Sequence, residues 1–505
     1  MWDALIHLGD KIMTIQFLLA MTAGVVGGII IGALPGLSAS MGVALLIPVT
    51  FGMDPIAGLT MLTAIYTAAI YGGSISSILI HTPGTPASAA TALDGYQMTL
   101  KGQGLKALGI STVSSCIGGT ISGFALLFLA PPLALLSLRF SSPEYFLMAV
   151  FGLTIIASLA GDSIVKGLAS GVFGLMVGLV GTDILTGYPR YTYGFVELES
   201  GISLVPAMIG FFSLSQVMIQ AEKVGETKRV IGELAGRFLP TWQEFKELLP
   251  TIGRSSIIGL LVGILPGAGG DIASWVSYNE AKRFSKNSHK FGTGFAEGVA
   301  APEAANNAVT GGALIPLLTL GIPGSAVAAI LMGGLMIQGL QPGHELFTKH
   351  ANITYSVIFG FIMANILMGI VGAAICKYVV KITDISQAVL SPIIVVLSVV
   401  GSFAIDNSVF DIYVMVAFGL VGYLMRKTGF HPAPAVLAIV LGSMAEAGFR
   451  QSLVMSKGDL LGYYLGRPLC LVLIALILLS LLSPVFMKWW QKKQGIDVSD
   501  GPDEE

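Results

Sequence analysis

The sequence predicts an all-α polytopic membrane protein made of two inverted-topology repeats, with broken helices, re-entrant hairpins and about 10–12 spans. Three observations predict it. The composition is too apolar for a soluble surface, Gly/Pro-centred motifs recur in the same order in both halves, and the charge bias of corresponding loops alternates in sign.

The 505 residues are 54% hydrophobic and 11% charged, with a mean hydropathy of +0.81. A soluble domain carries about 25% charge, so this chain lacks the polar residues to cover a water-facing surface. Apolar runs at Ile12–Leu34, Leu108–Ala130, Tyr355–Cys376 and Leu469–Val485 meet or approach the roughly 20 residues that cross a bilayer. A net charge of −2 with no basic block gives no reason to expect a nucleic-acid partner. Cys116, Cys376 and Cys470 stand singly in apolar sequence and read as inert thiols. The opening MWDALIHLGDK lacks the cationic region and cleavage site of a signal peptide, so the first apolar run is expected to be retained. At the other end, Trp489-Trp490 between Lys488 and Lys492 reads as an interfacial anchor before a polar tail.

The repeat is read from motif order. Gly32-Ala33-Leu34-Pro35-Gly36 recurs as Gly263-Ile264-Leu265-Pro266-Gly267, at an offset of 231. Tyr71-Gly72-Gly73 and Thr82-Pro83-Gly84 recur as Thr310-Gly311-Gly312 and Ile322-Pro323-Gly324, at 239 and 240. Ser142-Pro143, Gly152 and Asp162 match Ser391-Pro392, Gly401 and Asp411 at 249. The expected division is a first repeat over 1–220, a cytoplasmic linker over 221–254, a second repeat over 255–487 and a tail over 488–505.

Charge sets the orientation. The Gln220–Arg254 stretch is rich in Lys and Arg and is expected in the cytoplasm. The Phe51–Pro55 loop has no Lys or Arg, whereas its counterpart around Lys282–Lys290 has four. The loop carrying Lys101 and Lys106 corresponds to Gln341–His350, which has only Lys349. Equivalent loops thus fall on opposite sides, an inverted repeat; a parallel repeat is the alternative. Between Arg254 and Lys282 two apolar arms of about 12–14 residues, roughly 20 Å of helix each, flank Pro266–Gly270 and predict a re-entrant hairpin.

Four helix breaks hold the polar residues that lie deep in apolar sequence. Two are Leu-Pro-Gly tips, with Pro35, Gly36, Ser38 and Ser40 in one and Pro266, Gly267, Gly269 and Gly270 in the other. The others contain Pro83, Gly84, Thr85 and Ser88, and Pro323, Gly324 and Ser325. Proline ends each helix, and broken backbone at membrane depth survives only inside protein or against a watery cavity. A helix restarting after a tip points free N–H groups and a positive dipole end at that cavity, which suits an anion. The competing reading is that these small residues only let helices pack closely.

No Lys or Arg sits mid-span to meet an anionic substrate, so a co-bound Na⁺ or H⁺ is expected; no other cofactor is. Asp271, Ser274, Glu303, Asn306 and Asn307 are the candidates for ion coupling, because intramembrane acids and amides are costly without a use. Glu303 reads either as a coupling group or as an interfacial helix cap, and Asp94 as interfacial. The spacing of His344-Glu345 and His350 does not make HExxH, and neither a GxxxxGK[ST] loop nor a GxSxG elbow occurs, so an enzyme is not expected.

Long segments carry a family resemblance: GALPGLSASMGVALLIPVTFGMDP, YGGSISSILIHTPGTPASAATALDGYQMTLKGQGLKALG, GILPGAGGDIASWVSYNEAKRFSK and GVAAPEAANNAVTGGALIPLLTLGIPGS. Across essentially its whole length the chain resembles the large membrane subunit of the tripartite tricarboxylate transporters. The resemblance implies a bacterial inner-membrane protein acting with a small transmembrane subunit and a periplasmic solute-binding protein. Together these would import citrate-like tricarboxylates or other small organic acids on an ion gradient, the membrane lipid being its solvent. It transfers to the tips at Pro35, Gly36, Pro83, Gly84, Pro266, Gly267, Pro323 and Gly324. An elevator-like movement of the tip-bearing part is the expected mechanism. The alternative is a channel-like or scaffold subunit with no substrate site of its own.

Overall fold

The computed structural model describes residues 14–34, 37–158, 164–183, 186–222, 237–265, 269–382 and 387–478. The protein is an all-α polytopic membrane protein. Among the described residues nine helices are long and apolar enough to cross a bilayer, and strand is confined to one two-stranded hairpin.

The first half runs α1 (Ile15–Ala33), α2 (Ala39–Thr50), α3 (Pro55–Ile80), a 3₁₀ turn (Pro86–Ser88), α4 (Ala89–Leu100), α5 (Gly104–Ser137), α6 (Ser142–Ser158) and α7 (Ile164–Gly178). The hairpin β1 (Gly181–Thr182) and β2 (Pro189–Arg190) then leads to α8, Leu204–Glu222, whose middle is π-helical over Ile209–Leu214. The second half runs α9 (Trp242–Ile264), α10 (Gly269–Phe284), α11 (Ala296–Leu320), α12 (Ala326–Ile337), α13 (His344–Thr348) and α14 (Ala351–Ile382). Four helices complete it: α15 (Gln387–Asp406), α16 (Val409–Lys427), α17 (Pro432–Met455) and α18 (Leu460–Leu465).

Local chemistry sets the ends. Asp54 caps α3, accepting from Ile56 N at 2.9 Å, with Pro55 in the first turn where its missing N–H costs nothing. Thr241 and Glu244 form a reciprocal capping box at the start of α9. That cap corrects the length reading of the second hairpin. Its first arm begins at Trp242, not near Arg254, and its 23 residues are long enough to cross a bilayer. Lys246 and Arg254 therefore ride on the helix. The second arms stay short, at 12 residues in α2 and 16 in α10.

Two compact units are distinguished, Met1–Leu138 with Val180–Pro432, and Arg139–Leu179 with Ala433–Glu505. In the larger, α3 and α11 are the central helices: nearly every residue of each is buried, polar ones included. Helix α3 packs on α1 and α14, while α11 packs on α9 and α5. In the smaller unit, buried Glu144 accepts from Arg467 Nε at 2.5 Å and from Ser141 N at 2.9 Å.

The motifs at constant offset also make the same contacts. A Cβ on Gly72 would meet the carbonyl of Ile29 and the Cα of Gly32, and one on Gly312 would meet those of Leu260 and Gly263. A Cβ on Gly28 would meet Ile65 O, and one on Gly259 would meet Ala305 O. The α1 residues thus map to α9 at 231 and the α3 residues to α11 at 240. This corrects the register read from the sequence, where Gly72 was paired with Gly311 at 239. Its structural counterpart is Gly312.

Candidate functional site: two crossed helix breaks

The two breaks at Pro83-Gly84 and Pro323-Gly324 are built alike. Helix α3 ends on His81 in the left-handed conformation (φ 53°), and α11 ends on Gly321 (φ 70°). Thr82 N then donates to Ser76 O at 3.4 Å, and Ile322 N to Pro316 O at 3.2 Å, the equivalent carbonyl. A Cβ on Gly84 would lie 2.3 Å from Gly32 O, and one on Gly324 would lie 2.3 Å from Gly263 O. Only glycine permits that approach. Each break is therefore pinned to the helix that precedes its own Leu-Pro-Gly tip.

The restarting helices cross between halves. Helix α10 packs on the 3₁₀ turn and α4, and α2 packs on α12. A Cβ on Gly270 would sit 3.0 Å from Ala87 Cβ and 3.7 Å from Asn306 Cβ, so the start of α10 lies directly over that turn. Ser38 caps α2 by accepting from Met41 N at 3.2 Å, and Ser325 caps α12 by accepting from Ala328 N at 3.2 Å. Ser40 is half-buried, Gly269 has φ 62°, and Asp271 stands exposed in the first turn of α10. Ser274 bonds its own helix at Asp271 O, 2.8 Å away. Ser88 fastens its turn to α3, with Oγ 2.7 Å from Thr85 O and Ser77 Oγ and 3.0 Å from Gly73 O. Thr85 is buried with its hydroxyl unpartnered. Pro35, Gly36, Pro266 and Gly267 lie outside the described residues, as do Trp489 and Trp490.

Helix α11 carries the other candidates. Glu303 is not an interfacial cap: it is completely buried, and four hydroxyls surround its carboxylate. Ser74 and Thr91 donate to Oε1 at 2.5 Å each, and Ser111 and Ser115 to Oε2 at 2.8 and 2.9 Å. Asn306 Nδ2 adds a longer contact of 3.4 Å to Oε1. Among the described residues no Lys, Arg or His pairs with it. A carboxylate taken out of water is tolerable only when its lone pairs are filled, and here hydroxyl dipoles fill them. Asn306 Nδ2 also approaches Ala87 O at 3.5 Å, and its buried Oδ1 has no partner. Asn307 Nδ2 donates to Thr67 O and Oγ1 at 3.2 and 3.1 Å, and its Oδ1 is likewise unpartnered.

Asp94, expected at the interface, meets a loop at the start of α11. Buried in α4, its carboxylate accepts from Tyr278 Oη at 2.9 Å and from the backbone N–H groups of Gly292, Gly294 and Phe295 at 3.0, 2.8 and 2.7 Å. It fastens the loop between α10 and α11 to the first half. The structure thus joins Glu303, Asn306 and the first break into one cluster, with Asp271 on the rim of the crossing.

Sequence reasoning missed the hydroxyl shell. Ser74, Thr91, Ser111 and Ser115 come from three helices, and only the i,i+4 spacing of Ser111 and Ser115 on one face of an apolar helix signalled it.

A chain whose buried polar residues gather at paired helix breaks inside nine apolar helices can be compared with known families. Residues 18–437 match the model of the tripartite tricarboxylate transporter TctA family. The chain belongs to that family. Two Agrobacterium vitis proteins are similar to this TctA member, both described as uncharacterized. The 52.8 kDa protein in the TAR-I ttuC' 3' region is 37% identical over 471 residues, covering 92% of this chain and 93% of that one. The protein in the TAR-II ttuC' 3' region is 35% identical over 242 residues, covering 48% of this chain and all of its own length. No solved structure matches. TctA proteins are transporter subunits, and this multi-pass chain is one.

Proposed function

We propose that this TctA protein is the large membrane subunit of a secondary active importer of tricarboxylates or related small organic acids. It sits in the bacterial inner membrane and works with a small transmembrane subunit and a periplasmic solute-binding protein that delivers the substrate. The observation that carries the reading is the crossing of the two helix breaks, where each half places its restarting helix on the other half's tip. Helix starts and hydroxyls gathered inside apolar helices suit carboxylates, as in transporters with broken helices at the repeat interface. The proposed substrate contacts are the tips at Pro35, Gly36, Ser38, Ser40, Pro83, Gly84, Thr85, Ser88, Pro266, Gly267, Gly269, Gly270, Pro323, Gly324 and Ser325. The two repeats are inverted, and the tip-bearing part slides between sides.

Import is driven by a Na⁺ or H⁺ gradient. Asp271 with Ser274 on the rim, and Glu303 with Asn306 and Asn307 beneath it, are the groups that read the coupling ion. In proteoliposomes holding both membrane subunits and supplied with the binding protein, labelled citrate, malate or succinate should accumulate when a Na⁺ or H⁺ gradient is imposed without ATP. Uptake should saturate, and Asn306→Ala should raise its half-saturation concentration. Uptake of none of the three under either gradient overturns the reading. Unsaturable flux unaffected by Asn306→Ala would favour a channel-like subunit.

A further inference from the structure

One position is polar in both halves and unspent in both. At the offset of 240 fixed by the glycine contacts, Tyr66 of α3 is the counterpart of Asn306 of α11, and Ser325 is the counterpart of Thr85. Each of the two helical residues reaches across to the break of the opposite half. Asn306 approaches Ala87 O, and Tyr66 Oη lies 3.0 Å from Ser325 Oγ. Tyr66 was not among the residues the sequence singled out, since an aromatic in an apolar helix reads as packing.

Proton counting gives Tyr66 its role. The Tyr66–Ser325 pair owns two O–H protons and shares one hydrogen bond. Ser325 Oγ otherwise only accepts, from Ala328 N. Among the described residues one proton of the pair is therefore left with no acceptor. Both side chains are buried, at 2% and 7% exposure, so water does not readily take it. An unspent hydroxyl proton in a water-poor interior is costly unless a ligand oxygen receives it. Helix α12 begins at the same serine, and its first-turn N–H groups favour negative charge there. At the equivalent position, the buried Oδ1 of Asn306 is left without a partner.

We propose that Tyr66 is a substrate-contacting, specificity-determining residue, and that its hydroxyl pair with Ser325 donates to a carboxylate oxygen of the transported acid. The inference rests on the importer reading above and adds to it the residue that makes one half of the site differ from the other. Tyr66 supplies a donor for a carboxylate oxygen where Asn306 presents an acceptor suited to the coupling ion, so the two halves of the site take different partners.

The test uses the same proteoliposomes and labelled acids, comparing wild type with Tyr66→Phe and Ser325→Ala. Tyr66→Phe keeps the ring and its packing. Removing a donor to a charged oxygen should raise KM about tenfold or more with kcat little changed. Ser325→Ala leaves the tyrosine hydroxyl but removes the serine that positions it, so it should raise KM by a smaller factor, and the double variant should be little worse than Tyr66→Phe. If Tyr66→Phe does not assemble, Ser325→Ala alone decides. Unchanged KM in the assembled variants, with wild-type uptake intact, overturns this inference and leaves the importer reading standing. Absence of wild-type uptake under either gradient overturns both.

Discussion

Asn307 donates its side-chain amide to Thr67, which occupies the equivalent position in the other half at the same offset of 240. The α3–α11 contact at Thr67 and Asn307 therefore joins equivalent positions of the two halves. Thr67 Oγ1 in turn donates to Asn365 Oδ1 at 2.6 Å, and Asn365 Nδ2 to Phe361 O at 2.8 Å. The chain of bonds ties both central helices to α14.

Asn307→Leu should cut this chain at its first link. The Thr67 hydroxyl loses the amide it accepts from, and a buried hydrogen bond contributes about 0.5–1.5 kcal/mol. A lowered melting temperature of the detergent-solubilised protein is expected. Wild-type melting would mean that the contact contributes nothing.

Glu303 gives a sharper contrast. Glu303→Ala removes the acceptor of four hydroxyls and should destabilise by several kcal/mol, at about 1–3 kcal/mol for each donor left stranded. Glu303→Gln keeps the shape and one acceptor oxygen, so the protein should fold, while gradient-driven uptake should be lost because the titratable or cation-attracting charge is gone. Melting of Glu303→Ala at the wild-type temperature would refute the structural half. Full uptake by Glu303→Gln would refute the coupling half.

How much of this was legible beforehand depends on what each feature is made of. The breaks at Pro83-Gly84 and Pro323-Gly324 were readable because proline and glycine act locally on the backbone. The recurring glycines were readable because close helix packing demands glycine at the contact, although the sequence alone slipped Gly72 by one residue. The start of α9 was missed because Lys246 and Arg254 look like a loop, whereas the Thr241–Glu244 box begins the helix well before them. The surroundings of Glu303 and Asp94 were not readable at all. Their partners lie about 200 residues away, and a serine in an apolar helix carries no mark of which carboxylate it will meet.

Asp94→Ala should free the loop between α10 and α11. Three backbone donors and Tyr278 lose their acceptor, while Lys286 and Lys290 are already exposed. Faster tryptic cleavage at those two lysines is expected, and in sealed vesicles only from the cytoplasmic face. Equal cleavage rates would mean that the loop holds itself without Asp94.

The inversion itself can be tested with two exposed glutamines. Gln103 follows Lys101 in the loop between α4 and α5, and Gln341 lies in the counterpart loop after α12. In a parallel repeat both loops share one side of the membrane; in an inverted repeat they cannot. Charge assigns the Gln103 loop to the cytoplasm, since Lys101 and Lys106 flank it and Gln341–His350 holds only Lys349. Single cysteines at Gln103→Cys and Gln341→Cys, in a background with Cys116, Cys376 and Cys470 replaced by serine, should react with a membrane-impermeant maleimide from opposite sides. Gln341→Cys should label in intact spheroplasts, and Gln103→Cys only in inverted vesicles. Labelling of both from the same side would make the repeat parallel. The two breaks would then face one compartment together, and a midplane site alternating between compartments would lose its basis.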